Sequence, residues 1–445
     1  MPIRLLVRSR SLLLIALTVS ATWCCGAGDG KSAERPDAEA PGRFKTSVWT
    51  PEFKERIRSL HDRIEWQKPE FTPLLDANTL EASIAKARTF LLDNQYPEGN
   101  FHYEYDFVTK RQSRRDNEVR QAGALWGLSL LHIDQPTDRS RAALDKGLDF
   151  FIRRSRPAGN DGLVPLYSRS GRTGTGTVAL VALAITEYLR KDVEIPEARR
   201  RMLTDKLRGY LDFLKAQQFP DGTFSAGYFI ASNKRTIERS CYADGEALLA
   251  FCKAARYLGR IDLLPRIEAA SGTMIKRYVL DALSVDPDPA ETKQFYQWGT
   301  MSLWECFDAG WSHGEACADT AMIMAWWMIH AHRTLDRTRN TGYAHEGLVH
   351  AYRIAAARRH EAAMAELQFV IDRGLRKLMT WQVGGPLAEQ NSYLRLHPTK
   401  DPLALGGIMN ASDEPLLRID VTQHQSHAML LALRHVYKDA SRPGN

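Results

Sequence analysis

The sequence predicts an all-α fold in which six helical hairpins close into a ring, and two observations predict it. Apolar residues recur at helical spacing along most of the chain, while β-branched alternating runs are rare. A segment also repeats: FLLDNQYPEGNF at residues 90–101 returns as FLKAQQFPDGTF at residues 213–224. Extended upstream to Lys86 and Arg208, both copies follow one plan of a basic residue, a small one, an aromatic–Leu pair, a Gln and then Gly-x-Phe. A degraded third copy, KGLDFFIRRSRPAGNDG, begins at Lys146, and RGLRKLMTWQ at Arg373 repeats the opening. Lys86, Lys146 and Arg208 are 60 and 62 residues apart, a period that suits two helices and their connections.

Taken in order, the chain opens with MPIRLLVRSRSLLLIALTVSATWCC. Arg4, Arg8 and Arg10 precede an apolar run from Leu12 to Val19, and small residues follow, so residues 1–25 are expected to be an export signal. The run is short for a membrane span. Cys24 and Cys25 lie where a lipoprotein's modified cysteine would stand, behind a bulky Trp23, so lipid anchoring and plain secretion both stay open. Residues 26–44 read as a flexible linker, residues 45–79 as a segment packing on the outside of the ring, and residues 80–440 as the ring itself. A chain of 445 residues, 44% of them hydrophobic, can bury so large a core.

Helical stretches are predicted at approximately 80–95, 117–133, 140–155, 174–190, 198–218, 240–258, 261–282, 293–308, 315–336, 341–357, 361–381 and 418–438. Paired in order they make six hairpins, and closing them buries the inner helices. That closed ring is the (α/α)6 toroid. The net charge of +7 falls to +4 without the three arginines of residues 1–25, and the remaining cations are scattered, which argues against a nucleic-acid partner. Membrane contact is expected only through a lipid anchor. Four further cysteines form two close pairs, Cys241 with Cys252 and Cys306 with Cys317. Members of a pair stand eleven residues apart, about 16 Å along a helix. They can bond only across the pairs or stay as buried thiols. No CxxC occurs, and neither metal nor cofactor is expected.

The repeat has a physical meaning. In the second copy the helix ends near Gln218, Pro220 prevents its continuation, Gly222 supplies a turn, and Phe224 packs back over the hairpin. This element resembles the Gln-and-aromatic repeat of squalene cyclases and protein prenyltransferases, with Phe where Trp is usual, and the resemblance implies the toroid. The same toroid carries six-hairpin glycosidases, polysaccharide lyases and uronate epimerases, so fold alone does not choose a chemistry. HGEACADTAMIMAWW at residues 313–327 is faintly similar to the DxDDTA motif of squalene-hopene cyclases: Asp319 and Thr320 match, but Ala316 and Ala318 stand where the first and the protonating acids would be. The segment is expected on an outer helix, as core packing. No Asp-x-Cys with a later His, P-loop, Rossmann glycine pattern or GxSxG elbow is found.

Alternating hairpins point all inner helices one way, so their N-termini meet at one mouth. The inner helices are expected to begin near residues 114, 171, 239, 295 and 418, with 341–357 as a sixth of little polarity. The polar residues at these starts are Asp116, Asn117, Glu118, Arg120, Arg172, Tyr242, Asp244, Glu246, Arg418, Asp420, Gln423 and His424. Asp116, Asp244 and Asp420 also suit helix N-caps. With Tyr103, Tyr105, Tyr228 and Trp298 the set suits a sugar ring: aromatic faces stack on it, arginines and amides bind it, and acids protonate a glycosidic oxygen or activate water. Glu246 is the leading acid or base, because burial before an apolar run raises a carboxyl, with Asp244 and His424 next. A lyase or epimerase of uronic acids would instead use Arg120 and Arg418 on the sugar carboxylate and Tyr242 or His424 as base. Asp420, His424 and His427 share one helical face, but His427 reads as core and the trio lacks a fourth metal ligand. The expectation is an exported toroid that hydrolyses or modifies a polysaccharide or oligosaccharide. Its rivals are a toroid that only binds glycan, lipid or peptide, and a cyclase-like protein lacking the acid.

Overall fold

The computed structural model describes residues 48–438 except 160–161, 168–169 and 192–193. The expected export signal, Cys24, Cys25 and the linker lie outside the described residues. Helix α1 (Pro51–His61) precedes α2 (Ala77–Asp93), α3 (Glu118–Asp134), α4 (Asp138–Arg153), α5 (Thr175–Lys191), α6 (Glu197–Gln217) and α7 (Cys241–Leu258). Then come α8 (Leu264–Met274), which runs through a π-helical stretch into α9 (Ala282–Val285), α10 (Ala290–Asp308), α11 (Gly314–His330), α12 (Gly342–Ala357), α13 (Glu361–Met379), the short α14 (Ser392–Leu396) and α15 (Ile419–Ala432).

Helices α3, α5, α7, α10, α12 and α15 pack each against the next, and α15 packs back on α3, closing the ring. Composition decides which helices go inside. Inner α5, TGTVALVALAITEYLRK, is buried at every position from Thr175 to Leu189, as a helix apolar all round must be. Outer α4 buries one stripe, Ala143, Leu144, Gly147, Leu148, Phe150 and Phe151, and shows its charges to water. The twelve predicted stretches all appear as helices, and the segment at 313–327 lies in an outer helix. Helix α1 packs on outer α11.

The sequence reading did not anticipate strands. Among the described residues there are eight short ones: β1 (Glu104–Asp106), β2 (Arg111–Gln112), β3 (Ser155–Ala158), β4 (Gly162–Pro165), β5 (Arg172–Gly174), β6 (Gly227–Phe229), β7 (Lys234–Arg235) and β8 (Leu416–Arg418). They form antiparallel sheets β2-β1-β8, β3-β4 and β5-β6-β7. Glu104 pairs with Arg418 and Thr173 with Tyr228. Because β5 and β8 run straight into α5 and α15, two of these sheets stand at the N-terminal mouth of the ring.

The repeated element is a staple between neighbouring outer helices. Gln218 Nε2 donates to Gly222 O at 3.1 Å and to Arg266 O of α8 at 3.0 Å. Gln95 Nε2 does the same with Gly99 O and Ala143 O of α4. Gln382 repeats it with Gly406 O and Ser83 O of α2, which joins the last outer helix to the first. The glycines are required twice over. Gly99, Gly222 and Gly406 have φ of 114°, 93° and 86°, and a Cβ on each would lie 2.0–2.4 Å from a backbone oxygen of the next outer helix. After each turn a backbone N–H is received by an inner helix: Phe101 N by Gln121, Phe224 N by Asp244, and Ile408 N by Thr422.

Candidate active site

The axis of the ring is filled by side chains from facing helices. Trp126 of α3 and Trp298 of α10, on opposite sides of the ring, approach to 5.5 Å between ring centroids. Beside them lies Glu346 of α12, fully buried. Its Oε1 accepts from His427 Nδ1 at 2.7 Å, and its Oε2 accepts from His424 Nδ1 at 3.1 Å and from Gln297 Nε2 at 2.5 Å. Burial alone would raise the Glu346 carboxyl, but electrostatic attraction to the His424 and His427 rings and their hydrogen bonds overcome it and hold the group below its ordinary value. His427 stands edge-on to Trp126 and His424 edge-on to Trp298. His424 reaches furthest toward solvent, its side chain 23% exposed.

Glu346 and its partners correct the expectation that 341–357 carries little polarity. His427, read as core, is buried, but its ring is spent on Glu346. The signal was present: YAHEGLVHAY around Glu346 matches YADGEALLAF around Glu246 in placing a glutamate next to a glycine before an apolar run.

Glu246 projects from α7 toward α5, where Gly176 makes room: a Cβ there would lie 2.0 Å from Glu246 Oε2. It makes no hydrogen bond or ion pair among the described residues, and burial alone pushes its carboxyl up to about 8. At the rim, Arg120 Nε lies 3.2 Å from Asp420, and Arg418 grips the same carboxylate with two hydrogen bonds. Burial would raise Asp420, yet the two arginines hold it low. Tyr103 takes a second hydrogen bond from Arg120. Tyr242, 48% exposed, feels both Glu246 and Arg120, and burial of its ring raises its phenol. Arg120, Arg418 and Asp420 are thus joined at the rim, Trp298 and His424 stand together beside Glu346, and Glu246 and Arg120 both act on Tyr242.

The remaining expected residues are placed elsewhere. Asp244 receives Phe224 N and the Tyr278 hydroxyl; burial pushes it to about 7, and these bonds pull against that rise. It anchors a staple. Asn117, not Asp116, caps α3, and Ser240, not Asp244, caps α7; α15 has no side-chain cap, so Asp420 is free to take its arginines. Asp116 is held by Gln121 and Tyr167. Glu118 accepts Gly174 N at 2.8 Å, tying α3 to β5, and burial raises its carboxyl. Gln423 is wedged between α15 and α3, against Gly123 and Gly127. Arg172 pairs with Glu238 on the β5-β6-β7 sheet. Tyr105 bonds Asp401 and Tyr228 bonds Asn233. A cleft of about 720 Å³ between residues 107–110 and 396–402 contains none of the expected site residues. Among the described residues no helix is long and apolar enough to cross a membrane.

No protein-family model matches the chain. A stretch of 174 residues, 37% of the chain, is 28% identical to the UvrABC system protein B of Cupriavidus pinatubonensis; the chain spans 24% of that relative, whose activity is not carried over. Solved structures share the architecture at low identity. A D-mannose isomerase superposes with a TM-score of 0.56 over 80% of this chain and 97% of its own, at 12% identity. A cellobiose 2-epimerase from Spirochaeta thermophila gives 0.53 over 88% and 100%, at 13% identity. An α-1,6-mannanase from a Salegentibacter species gives 0.53 over 80% and 98%, at 9% identity. The ring of inner helices and these superpositions agree on one architecture: this chain is an (α/α)6 toroid of the six-hairpin kind.

Proposed function

We propose that the protein is a carbohydrate isomerase or epimerase, which moves a proton at the carbon next to a sugar carbonyl. The observation that carries this reading is the pair of imidazoles held by one buried carboxylate at the ring axis. An ionised carboxylate only accepts hydrogen bonds, so in this proposal Nδ1 of each histidine carries its proton toward Glu346, with Gln297 Nε2 also 2.9 Å from His424 Nδ1, and each neutral imidazole keeps its lone pair on Nε2. An imidazole oriented by a third group is the arrangement a general base needs. His424, the more exposed of the two, is the base that meets substrate in this proposal.

The chemistry then balances within the site. His424 takes the proton from carbon, the electron pair moves onto the carbonyl oxygen, and that oxygen is protonated to an enediol. Return of a proton to the opposite face of the same carbon, with loss of the proton just added to the carbonyl oxygen, gives the epimer; return to the former carbonyl carbon, with loss of the proton from the neighbouring hydroxyl, gives the isomer. Glu246, protonated at neutral pH, is suited to supply a proton, and Arg120 and Tyr242 to bind sugar oxygens at the rim. Trp298 offers an aromatic edge beside the base. The isomerase and epimerase among the structural neighbours support the substrate class, as does an inactive mannanase variant bound to α-1,6-mannotetrose. With residues 1–25 read as an export signal, the reaction takes place outside the cytoplasm; intact mass of the protein from its native host tests this, since a chain retaining Met1 to Ala21 refutes export.

A hydrolase is the second reading, favoured by the unpartnered, protonated Glu246 as a general acid. One experiment separates the two. The mature protein is incubated with mannose, glucose, cellobiose and α-mannan, and products are followed by NMR and by reducing ends. The proposal expects a free sugar to convert to its epimer or ketose with no rise in reducing ends; reducing ends released from mannan without interconversion of free sugars overturn it.

A further inference from the structure

Toward the C-terminal ends of the inner helices, away from the mouth, four soft or borderline donors meet. Cys252 stands in the second half of α7, Cys306 two residues before the end of α10, and His313 and Cys317 at the start of outer α11. The three cysteines are fully buried and His313 is 6% exposed. Cys252 Sγ lies 3.9 Å from Cys306 Sγ. Donor atoms of Cys306, His313 and Cys317 all lie within 4.8 Å of one another. Cys252 adjoins this group of three through Cys306.

His313 supplies an independent observation. Among the described residues neither of its ring nitrogens meets a partner in hydrogen-bond geometry, although the ring is buried and the Cys306 thiol is near enough to act on it. A buried imidazole with both nitrogens unspent costs free energy unless something takes a lone pair. Trp49 stacks on one face at 4.9 Å and Trp311 flanks the ring, so the nitrogen-bearing edge is what remains to be used. Trp49 is itself pinned by Nε1 donating to Glu268 O at 2.9 Å. The segment before α1 thus covers the cluster.

We infer that Cys252, Cys306, His313 and Cys317 form a structural zinc site. Zinc is held tetrahedrally by thiolates at about 2.3 Å, which sets sulfur–sulfur edges near ~3.8 Å. The observed 3.9 Å matches such an edge, whereas a disulfide needs about 2.05 Å. Three thiolates and one imidazole close the coordination sphere, which marks a structural rather than a catalytic ion. Each cysteine gives up its proton as zinc binds. Protons therefore compete with the metal, and affinity rises with pH. The ion would tie α7, α10 and α11 together beneath Trp49. Sequence spacing hid this site, because its ligands follow no CxxC pattern and Cys252 lies more than fifty residues before the others.

The test is metal analysis of the full chain, purified under reducing conditions without chelator from cells supplied with zinc. The expected result is about one zinc per chain, lost in parallel by Cys317→Ser and by the milder His313→Gln. Zinc removal should lower the melting temperature. Cobalt added to the stripped wild-type protein should give the thiolate charge-transfer and strong visible bands of a tetrahedral site. That spectrum keeps the test open if the cysteine variant does not fold. Wild-type protein that holds no zinc and gives no cobalt spectrum overturns the proposal. So does zinc that survives both substitutions, or a Cys252–Cys306 disulfide found by peptide mapping of protein from the native host.

Discussion

Two glutamates on inner helices are treated in opposite ways by their surroundings. Glu346 is kept ionised by two imidazoles, whereas Glu246 has only burial to answer to and keeps its proton. Glu346→Gln preserves shape but cannot hold two Nδ1–H groups equally; turnover is predicted to fall by about 10²–10⁴, the range for a disturbed acid–base group, with the helix content unchanged by circular dichroism. Glu246 yields a prediction about stability. Its carboxyl rises from 4.5 to about 8 on folding, so its contribution is fully present below about pH 4.5 and is lost as pH climbs toward 8. Glu246→Gln does not titrate. Its melting temperature relative to wild type should therefore improve steadily from about pH 5 to 8 and then level off; a difference that stays flat across that range contradicts the assignment. Glu246 was legible because an acid before an apolar run is conspicuous. Glu346 carries the same local pattern, but its partners are Gln297, 49 residues before it, and His424 and His427, 78 and 81 residues after it, and no local reading joins them.

At the scale of elements, the staples hold each outer helix to the next. Gly222→Ala puts a Cβ 2.4 Å from Ala269 O at a φ of 93°, so both the clash and the backbone oppose it. Gln218→Ala leaves the buried Gly222 carbonyl and the part-buried Arg266 carbonyl without this donor, at about 1–3 kcal/mol. Urea unfolding should show both losses, with the glycine change at least as large. A buried ion chain links inner helices as well: Lys253 lies 2.9 Å from Glu187 of α5 and 3.1 Å from Glu305 of α10. Lys253→Met removes one partner from each carboxylate but leaves Arg190 on Glu187 and Arg256 on Glu305, and should cost about 1–3 kcal/mol by the same measurement. The staple's donor half was legible, since Gln, Gly and Phe recur in sequence. Its receiving half was not, because Gln121, Asp244 and Thr422 do one job with three different side chains. That is why Asp244 looked like a helix cap or a catalytic acid.

At the scale of the molecule, the period of about sixty residues made the ring legible, because six hairpins of one size can close and so bury their inner helices. What closure brings together was not legible: Trp126 meets Trp298 from across the ring, and Glu346 joins α10 and α15 through α12. The central claim is that this convergence moves a proton on a sugar carbon. It is tested most directly by running the reaction in deuterium oxide on the sugar that the product survey identifies, and reading deuterium at the carbon next to the carbonyl by NMR. Wild-type protein is expected to incorporate deuterium there as product forms, and His424→Ala to reduce incorporation by about 10²–10⁴. Product formed with that carbon's proton never exchanged, or incorporation undiminished in His424→Ala, would contradict it.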